Sequence, residues 1–241
     1  MAPTLVLLHG FTHTGASWGP VLQELGESYR GAAPDIRGHG TAWDRTPVTL
    51  EAVVGDIATA APERFTLAGY SMGGRIALHF AVAHPARVER LVLIGASPGI
   101  ADPGEREARR RADDQLADEV GRSSIEQFAD RWATAPVLTG QPASVAEAAR
   151  EDRLRNHPAG LARALRGLGT GAVPSLWDRL GELAMPVTLV VGERDQKFRA
   201  IATQMAGALP DPAVVVVRGA GHAVHLEAPC EVAGIIAGAP A

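Results

Sequence analysis

The chain has 241 residues, 46% of them hydrophobic, with a formal net charge of −4 and a pI near 6.1. That much apolar material supports a sizeable core and excludes a disordered chain, and the acidic balance argues against non-specific binding to nucleic acid. A single cysteine, Cys230, rules out an internal disulfide framework, and the opening MAPTLVLLHG has too short an apolar run for a signal peptide or a membrane span, so a soluble, cytoplasmic protein is expected.

In chain order, Thr4–Leu8 is a continuous apolar run, the pattern of a strand buried on both faces. Residues 21–25 read as helix, and 31–34 lead into the glycine-punctuated loop PDIRGHG. Residues 50–61 read as helix and 65–68 as strand. Met72–Ala83 is helical, with Pro85 as its stop, and 90–94 is strand again. From about residue 100 to 180 no buried strand is evident, and Arg, Asp, Glu and Ala recur at helical spacing. Strand returns at 187–191, helix at 200–209, strand at 214–217 and helix at 232–236. Strands alternating with helices predict an α/β fold with a mostly parallel sheet and flanking helices. The expected domains are a core, 1–100 with 181–241, and an inserted helical cap, 101–180.

Gly69-Tyr70-Ser71-Met72-Gly73 matches G-x-S-x-G and sits between a strand and a helix. A serine on a strained strand-to-helix turn needs small neighbours, and that context marks Ser71 as a nucleophile. His222, in GAGH after the last strand, is the expected partner, with His225 as substitute. Asp195, just after the strand VTLVV, completes the order Ser, Asp, His. All three fall in loops at the carboxyl ends of strands, where open α/β sheets bind ligands. His79 and His84 read as packing or surface residues, His157 has no evident partner, and His9 and His39 read as loop-holding residues. The N–H groups of Met72 and, by position in the loop after the first strand, Phe11 are the expected oxyanion hole.

These motifs resemble the α/β-hydrolase superfamily along nearly the whole chain. LHGFTHTGASW, PDIRGHG, GYSMGGRIAL, LVLIGASPGI, GTGAVPSLWDRL, VGERDQKF and GAGHAVHLEAP together are similar to the 2-succinyl-6-hydroxy-2,4-cyclohexadiene-1-carboxylate synthases of menaquinone biosynthesis. The first two motifs are common in the superfamily, whereas Tyr70 with Arg75, GASPGI and GTG…PSLW are more specific. The resemblance implies a lyase that eliminates pyruvate from an enolpyruvyl-cyclohexene dicarboxylate carrying a succinyl chain, without metal or organic cofactor. It implies that Ser71, held by His222 and Asp195, removes a proton rather than forming an acyl-enzyme. One departure is visible: many α/β-hydrolases have two further strands before the one carrying HG, so a shorter sheet is expected here.

Arg75 lies one helical turn beyond Ser71 and can face the same cleft, where its planar fork suits a carboxylate. The implied substrate has three carboxylates, so further arginines are expected. The family pattern favours Arg109 (or Arg110) and Arg153 (or Arg155), with Trp132 covering the ring and Tyr70 offering a hydroxyl. Arg109 with Asp113, and Arg110 with Asp114, can equally pair on a solvated helix. Residues 105–166 hold eleven arginines and eleven acids, so the segment has no net positive charge. Lys197, the only lysine, could add a charge near Asp195 or cap its loop. The expected partner is a small carboxylate substrate, with neither nucleic acid nor membrane; the oligomeric state is left open, a monomer included. A serine esterase or carbon–carbon-bond hydrolase with the same triad is the alternative activity. A non-catalytic receptor is disfavoured, having no need of all three triad residues.

Overall fold

The computed structural model describes residues 4–238. Six strands form one parallel sheet: β1 Thr4–Leu8, β2 Arg30–Ala32, β3 Phe65–Tyr70, β4 Val88–Ile94, β5 Val187–Gly192 and β6 Pro212–Val217. Their order is β2-β1-β3-β4-β5-β6, so the chain starts near one edge, winds outward, then reverses and builds to the other edge. β1, β3, β4 and β5 are the central strands, and their apolar runs are buried on both faces.

Two layers of helices cover the sheet. On one face, α2 (Leu50–Ala60), α3 (Met72–Ala83) and α8 (Gln196–Ala206) pack Ile57, Ile76, Phe80 and Met205 against Leu67, Leu91 and Leu189. On the other, α1 (Gly19–Leu25) and α10 (Pro229–Ala237) pack Val21, Leu25, Val232 and Ile236 against Leu5, Leu7 and Val92. Full burial of each such side chain contributes roughly 1.5–3 kcal/mol, which outweighs any single surface contact in the molecule.

Between β4 and β5 the chain leaves the sheet for α4 (Pro103–Arg122), α5 (Ile125–Ala133), α6 (Ala143–Arg153) and α7 (Pro158–Leu168). α4, α5 and α7 share a core of their own, built from Ala117, Val120, Phe128, Leu161 and Leu165. α5 starts in a full capping box, Ser124 with Gln127. A short helix, α9 (Val224–Glu227), follows the last strand.

The departures from the sequence reading are one unread strand and several element ends. β2 is a strand although all three of its residues are exposed; it is held by backbone pairing with β1, which leaves no hydrophobic signature. α8 begins at Gln196 rather than 200, because the Asp195 carboxylate accepts from Phe198 N–H at 3.2 Å and caps a polar first turn. β6 begins at Pro212, tolerated as the first residue of an edge strand, and α10 begins at Pro229.

Candidate active site

Ser71 joins β3 to α3 with φ 51° and ψ −109°, a left-handed conformation rare outside glycine. The turn is possible only because its neighbours lack side chains. A Cβ on Gly69 would stand 2.5 Å from Gly73 O, and one on Gly73 would stand 2.2 Å from Leu8 O. His222 donates Nδ1–H to Asp195 Oδ2 at 2.6 Å, and its Nε2 lies 3.4 Å from Ser71 Oγ. The carboxylate fixes the imidazole tautomer, leaving Nε2 as the acceptor that faces the serine. Phe198 and Tyr70 pack on the imidazole at 4.5 and 5.2 Å between ring centres. Met72 is the first residue of α3, so its N–H has no partner within the helix and points out of the helix N-terminus.

The row Asp195–His222–Ser71 opens on a cavity of about 760 Å³ between the sheet and the inserted helices. Phe11, Met72, Arg75, Arg109, Trp132 and Lys197 all line it. Arg75 is only 7% exposed. One arm of its fork donates to Leu168 O at 2.9 Å, while Nε has no partner. Burial, reinforced by nearby Arg109, lowers its pKa to about 10, so it remains a cation at neutral pH. Arg109 donates to Asp113 Oδ1 at 2.8 Å, yet its side chain is 46% exposed. Among the described residues, no cluster of three His, Cys, Asp or Glu side chains could hold a metal ion, and no helix is long and apolar enough to cross a membrane.

The profile of the alpha/beta hydrolase family matches residues 5–235. A Bacillus subtilis (strain 168) protein, provisionally named 2-succinyl-6-hydroxy-2,4-cyclohexadiene-1-carboxylate synthase, is 39% identical over 93% of this chain and 85% of its own length. The synthase of that name from Enterobacter sp. (strain 638) is 32% identical over 98% of this chain and 90% of its own. Among solved structures, MenH from S. aureus superposes with a TM-score of 0.91 at 31% identity, covering 99% of this chain and 93% of that one. The chain belongs to the 2-succinyl-6-hydroxy-2,4-cyclohexadiene-1-carboxylate synthase family of alpha/beta hydrolases.

In this member of the synthase family, the residues singled out from the sequence divide into two sets. Ser71, Asp195 and His222 meet in one hydrogen-bonded row, and Phe11, Met72, Arg75, Arg109, Trp132 and Lys197 share the cavity. Tyr70 and Arg153 lie outside its lining. Tyr70 is 3% exposed behind His222, and burial raises its phenol pKa. Arg153 is 1% exposed, with Nε and Nη2 unpartnered, and burial lowers its pKa despite attraction from Tyr70 and Asp152. The alternatives Arg110 and Arg155 point to solvent. Arg110 pairs with Glu107 and Asp114, and Arg155 with Asp152 at 3.9 Å. His225 packs tilted against Tyr70 at 4.3 Å and Trp18 at 4.8 Å between ring centres, fully buried, and makes no hydrogen bond to Ser71. His9 holds its loop by accepting from Ile36 N–H at 2.9 Å, whereas His39 packs edge-on against His9 and Phe11. His157, without an evident partner in the sequence, caps α7 and stacks on Trp43 at 4.0 Å.

Sequence reasoning missed a second buried pair. His13 donates Nδ1–H to Asp152 Oδ2 at 2.9 Å, and Asn156 donates to Thr12 O at 2.8 Å. The partners are 139 and 144 residues apart, so no local spacing announces them.

Proposed function

We infer that this chain is a lyase of menaquinone biosynthesis. It eliminates pyruvate from 2-succinyl-5-enolpyruvyl-6-hydroxy-3-cyclohexene-1-carboxylate to give 2-succinyl-6-hydroxy-2,4-cyclohexadiene-1-carboxylate. One observation carries this reading beyond ester hydrolysis: the cavity at Ser71 is also walled by the guanidinium groups of Arg75 and Arg109, which cleavage of a neutral ester does not require.

Ser71 is the base. Its hydroxyl is too weak alone, so His222 Nε2 takes its proton while the Asp195 carboxylate stabilises the resulting imidazolium. The serine oxygen then removes a ring proton from the substrate. The electron pair moves into the ring, the carbon–oxygen bond to the enolpyruvyl group breaks, and enolpyruvate leaves. The His222 imidazolium passes its proton to the departing enolpyruvate, which becomes pyruvate, and the triad returns to its starting state without a cofactor. Charge on the conjugated carbonyl during the step falls to the N–H groups of Phe11 and Met72, each worth on the order of 3 kcal/mol. Arg75 and Arg109 take substrate carboxylates and Trp132 covers the ring, while Tyr70 and Arg153, expected from the sequence to bind substrate, stand outside the cavity lining, Tyr70 packing behind His222. Residues 101–180 act as the cap that closes this pocket over a core of 1–100 and 181–241. The partner in this reading is a small carboxylate substrate, with neither nucleic acid nor membrane, and a monomer suffices to assemble the site. The cytoplasm is the expected location, in keeping with a single thiol that has no cysteine to bridge.

The direct test supplies the enolpyruvyl substrate to purified protein and follows pyruvate with a lactate dehydrogenase couple. Stimulated release that is abolished by Ser71→Ala is expected. No release, together with brisk hydrolysis of simple esters, would assign the site to a hydrolase instead.

A further inference from the structure

The loop after β1 carries the Phe11 N–H, and residues 12–14 of it lean on the inserted helices. Thr12 is fully buried in a left-handed conformation, φ 71°, and its hydroxyl has no hydrogen-bond partner. Such a residue persists only where its surroundings over-determine it. Gly10 O, on the same peptide as the Phe11 N–H, accepts from His9 Nδ1–H at 2.9 Å and from His13 N–H at 3.2 Å. Among the described residues, the hydrogen bonds that reach residues 12–14 from beyond residue 18 come from two side chains. Asp152, in the last turn of α6, accepts from Thr14 N–H at 3.0 Å and His13 Nδ1–H at 2.9 Å on Oδ2, and from the Thr14 hydroxyl on Oδ1. Asn156, one turn on, donates to Thr12 O at 2.8 Å and accepts from Gly40 N–H at 3.0 Å. Both side chains are buried.

Resting on the reading of the Phe11 N–H as an oxyanion donor, we propose that Asp152 and Asn156 are positioning residues that set this donor from the inserted helices. The core supplies the Met72 N–H by itself, because α3 starts on the sheet. The second donor is different: one side of its peptide is held by His9, and the other by His13 N–H, which belongs to the segment that Asp152 and Asn156 clamp at the end of α6. The oxyanion hole is therefore complete only when the end of α6 is seated on residues 12–14. A carboxylate suits this position because it alone accepts three donors at once, one of them a histidine N–H.

The test compares Asp152→Ala, Asn156→Ala and Asp152→Asn with the parent enzyme in the pyruvate-release assay, well below the unfolding temperature of each. Loss of the clamp misplaces one donor, so kcat is expected to fall about 10- to 100-fold in Asp152→Ala, with KM within about twofold. Asp152→Asn recovers most of that rate. Its amide oxygen can accept from His13 and Thr14 N–H while its amino group donates to the Thr14 hydroxyl. An unchanged kcat in both alanine variants overturns the proposal, as does a rise in KM that tracks a lowered Tm, the mark of a merely structural contact. If Asp152→Ala does not fold, Asn156→Ala carries the same kcat-against-KM comparison. A separate variant, with the Phe11 amide replaced by an ester through phenyllactic acid, tests the underlying reading. A slowed ester variant beside unaffected Asp152 and Asn156 variants removes the clamp alone. An ester variant of normal rate removes the donor, and the clamp with it.

Discussion

A methyl group at Gly73 would stand 2.2 Å from Leu8 O and 2.5 Å from His9 O, both rigid backbone at the end of β1. Gly73→Ala must therefore lever α3 away from the sheet and carry Ser71 out of line with His222. A fall in kcat of about 100-fold or more is expected, and a rate near that of the parent would show that the turn can relax. Arg75 makes the complementary case. A guanidinium buried with Nε unpartnered does not favour the empty fold, whereas charged hydrogen bonds to a carboxylate are worth about 3 kcal/mol. Arg75→Met should thus leave Tm unchanged or raised while kcat/KM falls by about two orders of magnitude. A large drop in Tm with kcat/KM preserved would make Arg75 a structural residue. Ser71, Asp195, His222 and Arg75 could be read from the sequence because strand ends and a helical turn fix where they point. The choice between Arg153 and Arg155 could not. They lie two residues apart in one turn, and only the folded packing decides that Arg153 is buried and Arg155 is exposed.

Elements were legible to the extent that burial wrote them into the sequence. The central strands are apolar on both faces and stand out as runs; β2 is exposed and held by backbone pairing, and the first turn of α8 is polar and held by a cap, so neither has an apolar signal. The inserted helices are an intermediate case. α4 buries only Asp113, Ala117 and Val120 of its twenty residues, and its fold depends on meeting α5 and α7. Phe128 fills that junction and stands 6.4 Å from the Phe11 ring and 5.6 Å from Trp132. Phe128→Ala should cost about 3–5 kcal/mol locally. Because Phe128 sits in the cluster where α4, α5 and α7 meet, the loss is expected there: amide exchange should quicken most in α4 and α5, and less in α7, which also packs Ala164 and Leu168 into the sheet core, while the protection of β1, β3 and β4 holds. Equal loss of protection across sheet and helices would mean that the two cores unfold as one unit.

Taken whole, the molecule keeps an unusual set of histidines away from water. His9, His13, His39 and His225 are all buried, and burial lowers the pKa of each. For His9 the fall is from 6.5 to about 4. Folding such a histidine requires it to be neutral, so its contribution is complete above the unfolded pKa of 6.5 and is lost as pH falls toward the folded value. Between these limits the unfolded chain binds more protons than the folded one, and His9 alone removes about 1.4 kcal/mol of stability per pH unit. The other three act in the same direction. Lowered carboxylates, such as Asp56 beside Arg37, come later: their stabilisation disappears only as pH falls below the unfolded value of 3.8. Tm should therefore be level above pH 7 and begin to fall near pH 6.5, well before the carboxylates titrate. His225 offers an internal control. Its ring packs on Trp18 and Tyr70, and neither nitrogen has a hydrogen-bond partner among the described residues. His225→Phe removes a proton acceptor without removing a hydrogen bond, so its Tm should fall less steeply than the parent's between pH 6.5 and 5. Parallel curves for the two proteins, or a parent curve that stays level to pH 5, would mean that these imidazoles can charge inside the fold.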